Sequence, residues 1–107
     1  MAGTERKSFT EPDHVVDLKR GRMSALEIAG VQLWRSDLEP GWSWDDENGP
    51  NAASCPMTHR EYVVAGRIRY MMDDGSDTTG EAGDFLYVRP GHRAEVIGDE
   101  TCVLIDW

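Results

Sequence analysis

The sequence holds only two cysteines, Cys55 and Cys102, too few for a disulfide framework and compatible with a reducing compartment. No stretch approaches the roughly 18 apolar residues of a membrane-spanning helix. The first turns of chain carry Glu5, Arg6, Lys7, Glu11 and Asp13 with no apolar run between them, so no signal peptide is expected and the cytoplasm is the default location. Basic residues are also scarce: 11 Lys and Arg against 20 Asp and Glu give a formal net charge of −9, and they form no stripe interleaved with aromatics. Repulsion from a duplex or an anionic bilayer argues against nucleic acid and membrane as partners. Helical patterning is lacking as well. Residues 23–33 contain good helix formers, but Gly30 interrupts them and β-branched and aromatic residues follow, so they are read as strands.

What is present is a single domain's worth of chain, 107 residues with 39% hydrophobic residues and four Trp, enough for one core without a structural metal. Residues 1–14 are polar and broken by Ser8, Thr10 and Pro12, and are expected to form a flexible arm; residues 15–107 form the domain. Within it, Val15 opens a short apolar run suited to a first strand or to a second subunit. Turns follow at Gly21, Gly30 and at Pro40 and Gly41, with alternating segments between them. Asp73, Asp74 and Gly75 make a strong hairpin signal. Some eight or nine short strands are expected, with no helix, which fits an all-β sandwich or small barrel. The acidic run from Asp45 through Asn51 lacks the spacing of a calcium loop and is expected to be solvated.

Two stretches organise the rest. In residues 55–66, His59, Glu61, Val63 and Ala65 share one strand face, while Arg60, Tyr62 and Val64 share the other. In residues 83–94, glycines flank the apolar strand Phe85, Leu86, Tyr87 and Val88, followed by Pro90, Gly91 and His92. Together with Pro40 and Gly41, these stretches resemble the two-motif pattern of the cupin superfamily over residues 31–107.

The resemblance implies a cupin-like jelly-roll β-barrel, or double-stranded β-helix, with a metal or ligand in its mouth and a homodimer formed through an outer strand. Counting back from Gly66, the family's glutamate position holds His59 and its two histidine positions hold Cys55 and Ala53. The histidine of the second motif falls on Ala94, two residues after His92. All four usual ligands are therefore replaced. Cys55 and His59, four residues apart on the inward side of a strand region, can still bind metal, with His92 as the third candidate ligand. The alternative is that Cys55 is a small buried hydrophobe and the histidines make ordinary hydrogen bonds.

Glu61 shares the inward parity of His59; exposure at the rim is expected, and an acid or base role follows if it points inward. Candidates for ligand contact are Trp34, Trp42, Trp44, Tyr70 and Tyr87. Arg67, Arg69 or Arg89 facing the cavity would imply a carboxylate-bearing ligand, with surface solvation the plainer reading. Cys102 is expected in the core, and Asp106 is expected to pair with a basic residue. Two functions remain open: a small-molecule-binding barrel without catalysis, or a metal-dependent isomerase, cyclase or oxygenase using one divalent ion (zinc, iron, nickel or manganese). A third, a structural dimer with a collapsed interior, ranks below them because Trp42 and Trp44 suit an occupied mouth.

Overall fold

A computed structural model describes residues 3–107; Met1 and Ala2 of the expected arm lie outside the described residues. Alternating strands joined by glycine turns dominate the chain: β1 (His14–Leu18), β2 (Gly21–Ile28), β3 (Val31–Leu38), β4 (His59–Ala65), β5 (Arg67–Met72), β6 (Asp77–Glu81), β7 (Phe85–Val88), β8 (His92–Ile97) and β9 (Cys102–Asp106). All pair antiparallel, in two sheets ordered β1-β2-β3-β9-β4-β7 and β6-β5-β8. This is the jelly-roll arrangement of a cupin-type double-stranded β-helix.

The core lies between the inner faces of the two sheets. Leu38, Val63, Leu86, Val88, Cys102 and Leu104 from the larger sheet pack against Ile68, Tyr70, Ala94 and Val96 from the smaller. Burial alternates cleanly along β4, where Glu61 and Val63 are buried and Arg60, Tyr62 and Val64 are exposed. A one-residue slip would turn that whole set to solvent, which is why the register is strongly specified. Each fully buried aliphatic side chain, such as Ile68, contributes on the order of 1.5–3 kcal/mol to this preference.

Two local expectations are corrected. The acidic run is not merely a solvated loop: Trp44–Asn48 forms one short helix, α1, capped by Ser43, whose hydroxyl accepts from the Asp46 amide at 3.0 Å. Asp45, Asp46 and Glu47 in its first turn suit the positive end of the helix dipole. Thr78 and Thr79 lie within β6. His92 is not a loop residue but the first residue of β8, where it shares the buried face with Ala94 and Val96.

Candidate metal centre and cavity

Cys55 precedes β4 and is fixed by backbone pairing to the start of β8. Its amide donates to the His92 carbonyl at 2.8 Å, and its own carbonyl accepts from the Gly91 amide at 2.8 Å. Shared strand parity does not explain its nearness to His59, because four residues of extended chain would separate the two by about 13 Å. The chain breaks at Pro56, Met57 and Thr58, and that break folds Cys55 Sγ back to 3.9 Å from His59 Nε2.

The two imidazoles are oriented from behind. His59 Nδ1 lies 2.8 Å from Asp106 Oδ2, and His92 Nδ1 lies 2.7 Å from the Arg89 carbonyl oxygen. A carboxylate and a carbonyl accept, so each Nδ1 carries a proton, and in the neutral ring Nε2 keeps its lone pair for a metal. The two rings face each other edge-on with centroids 4.8 Å apart. Ligand atoms of Cys55, His59 and His92 all lie within 4.8 Å of one another. A thiolate sulfur and two imidazole nitrogens, each ring held by a hydrogen bond on its far side, form a donor set that fits zinc or another borderline-soft divalent ion.

A second group, His59, Glu61 and Asp106, is equally close. It fits a cation less well, because ligation there competes with the hydrogen bond between His59 and Asp106.

Glu61 is 2% exposed, contrary to the expectation that it sits at the rim. Its Oε1 accepts from the Tyr70 hydroxyl at 2.5 Å. Burial pushes its carboxyl up to about 7, against the opposing effects of the Tyr70 hydrogen bond and the His59 charge. The same burial drives the Tyr70 hydroxyl well above its ordinary range, with the Glu61 charge adding to it. For His59, burial works against the charged form, but the bond to Asp106 and the charges of Asp106 and Glu61 outweigh it and raise its pKa. His92 is lowered, chiefly by burial. Cys102 is pushed up to about 12 by burial and the Glu61 charge, which makes it an inert core thiol.

Cys55, His59, Glu61, His92 and Asp106 line a cavity of about 370 Å³. Trp42, Trp44 and Tyr70 line it alongside Cys55, His59, Glu61 and His92. Trp34 and Tyr87 are not brought to it. Trp34 is half-buried on β3 with its indole N–H donating to Gln32, and Tyr87 is exposed on the other side of the large sheet with the Arg60 guanidinium over its ring. Arg67, Arg69 and Arg89 also lie outside the lining, and Arg69 bridges Asp77 and Glu95. Asp106 does find a partner, the imidazole of His59, so it belongs to the site as a positioning group. Its signal in the sequence was the alternation Cys102, Leu104, Asp106, which puts it on the inward face of β9.

The class that this fold and site define is a cupin-fold domain with a divergent Cys, His and carboxylate cluster at one end of its core. Solved structures agree on the fold. The chain is similar to an oxalate decarboxylase from Lactobacillus farciminis in complex with formate (TM-score 0.64, 16% identity, 98% of this chain and 33% of that one). It is also similar to an oxalate decarboxylase from Bacillus subtilis (TM-score 0.62, 24% identity, 88% and 26%) and to an 11S allergen from Cocos nucifera (TM-score 0.64, 19% identity, 90% and 32%). The chain thus spans about a third or less of the length of these proteins. No protein-family model matches the chain, and no curated protein does. What the chain shares with these proteins is the cupin fold.

Proposed function

We propose that this protein is a metal-dependent cupin that acts on a small molecule in the 370 Å³ cavity, with Cys55 Sγ, His59 Nε2 and His92 Nε2 holding one divalent cation, zinc being the best match to the donor set. The observation that carries this reading is that both histidines have Nδ1 committed to an acceptor behind them, so that their Nε2 atoms and the Cys55 sulfur share one small space. When bound, such an ion supplies Lewis acidity toward a substrate oxygen. The chain's own residues supply the rest. Glu61, whose carboxyl burial holds above its ordinary range in the metal-free chain, gives or takes a proton at a molecule in the cavity, and Tyr70 holds its carboxyl in place. Asp106 fixes the His59 ring. This division of labour suits proton-transfer chemistry of the isomerase or cyclase type. Oxalate decarboxylation, the activity of two structural neighbours, is not proposed, because no Arg or Lys lines the cavity among the described residues to pair with a dianion.

Elemental analysis of protein purified without a histidine tag tests the reading. About one equivalent of metal is expected in the wild type and less than about a tenth in a Cys55→Ala, His59→Ala double variant. Equal metal content in the two would reject the ligand set and leave a binding barrel without a metal.

Self-association is proposed through β1, an edge of the large sheet whose Val15 and Val16 are 45% and 46% exposed. Light scattering after gel filtration should give twice the 12.0 kDa chain mass, and a monomer at micromolar concentration would reject the edge as an interface. Among the described residues no helix is long and apolar enough to cross a membrane. Free thiols at Cys55 and Cys102 suit a reducing compartment such as the cytoplasm.

A further inference from the structure

The chemistry of the cavity is sharply divided. Its lining combines a polar cluster, Cys55, His59, Glu61, His92 and Asp106, with a largely aliphatic, thioether and indole surface that includes Leu18, Met23, Trp42, Trp44 and Met57. Both indole N–H groups of this wall are already engaged. The Trp42 indole N–H donates to Glu47 Oε1 at 3.2 Å, and the Trp44 indole N–H donates to the Ala53 carbonyl at 3.0 Å. Glu47 also accepts from the Lys19 amide, and the Asn48 side-chain amide donates to the Trp44 carbonyl.

Charge tells the same story. The charged side chains of the lining other than histidine are Glu47, Glu61 and Asp106, all acidic, and among the described residues no Lys or Arg joins them. Basic residues near α1 are tied elsewhere: Arg20 to Asp46, Arg93 to Asp45, and the Lys19 ammonium to the Asp46 carbonyl. A ligand carrying a second anionic group would find no cationic side chain to pair with and would face the chain's net charge of −9.

Resting on the proposed metal site for its polar end, we infer that the substrate class is a small, singly functionalised molecule with an apolar body. One oxygen, nitrogen or sulfur head lies against Cys55, His59 and His92, and an aromatic or aliphatic tail lies against the apolar lining that includes Trp42 and Trp44. At about 370 Å³ the space falls at the small end of ligand pockets. Dicarboxylates and phosphorylated metabolites are excluded by the lining.

Calorimetric titration of the full chain tests this with two probes, 4-phenylbutan-1-ol and succinate, each against chelator-treated and zinc-loaded protein. The alcohol should bind both forms with a negative heat-capacity change, and succinate should bind at least tenfold more weakly to each. Trp44→Ser should weaken the alcohol about tenfold without changing metal content. Because Trp44 also starts α1, a second variant, Met57→Arg, places a cation at an exposed mouth position, 60% exposed, where the fold is not at stake. It should raise succinate affinity at least threefold. Binding of the alcohol that zinc does not strengthen would remove the metal reading and leave the substrate class standing. Succinate binding as tightly as the alcohol, no binding of the alcohol to either form, or indifference to both variants would overturn the class itself.

Discussion

Glu61→Gln is expected to make the chelator-treated protein more stable than the wild type by about 2–3 kcal/mol at pH 8, and to leave it within about 0.5 kcal/mol of the wild type at pH 4.5. The direction follows from burial. The Glu61 carboxyl stands near 7 in the folded chain against an ordinary 4.5, so the fold favours its protonated form. Below about pH 4.5 the group is neutral in both folded and unfolded chains, and its burial carries no ionisation penalty. Between 4.5 and 7 the unfolded chain ionises while the folded chain stays largely neutral. Stability therefore falls as pH rises, and the loss is complete above about 7. A gap of about 2.5 pH units corresponds to about 3 kcal/mol. His59, also raised, moves stability in the same direction over a window that begins at its ordinary 6.5, so a smaller decline should survive in the variant. Glutamine keeps an acceptor for the Tyr70 hydroxyl, which limits the change to the ionisation itself. Urea unfolding at pH 4.5, 6 and 8 with chelator present supplies the measurement. A variant that differs from the wild type by the same amount at all three would show that Glu61 is not held neutral by its surroundings.

The burial that makes this possible was half legible in the sequence. Alternation along β4 put Glu61 on the face of His59 and Val63, and the structure keeps all three on that face. What alternation could not show was the depth of that face, because Tyr70, the partner that makes a buried carboxyl tolerable, comes from the opposing sheet. The same limit applies to Asp106, whose inward parity was readable but whose partner lies 47 residues away. The Cys55 and His59 pair was found for an incomplete reason: both residues belong to one site, yet a chain break at Pro56, rather than strand parity, closes the distance. Helix α1 left a signal too, since Ser43 followed three residues later by Asp46 is a capping pattern. It was too short for hydrophobic periodicity to register. By contrast, the glycine turns and the apolar alternation between them depend only on local backbone sterics, and they carried the jelly roll through despite the loss of every usual ligand identity.

One of those glycines should resist replacement strongly. Gly66 joins β4 to β5, where the chain leaves one sheet for the other, and it does so with φ at +74°. A Cβ placed there would stand 2.7 Å from both the Cys102 Cα and the Thr101 carbonyl oxygen. Both neighbours are backbone, so no side-chain rotation relieves the overlap and β9 itself must move. Gly66→Ala is therefore expected to cost about 3–5 kcal/mol, about 1–2 from the left-handed backbone and the rest from displacing a central strand. For a domain of this size the melting temperature should fall by roughly 15–25 °C. Gly75→Ala separates the two contributions. It also sits in the left-handed region, at φ +89°, but a Cβ there meets nothing within 4 Å, so only the backbone contribution of about 1–2 kcal/mol applies. Thermal unfolding of both variants should show the larger loss at Gly66. Because β9 ends in Asp106, a displaced strand should also loosen the hydrogen bond that orients His59 and weaken metal binding in Gly66→Ala alone. Equal losses at the two positions would mean that β9 does not press against the sheet crossing, and the motif glycine would then be explained by backbone conformation alone.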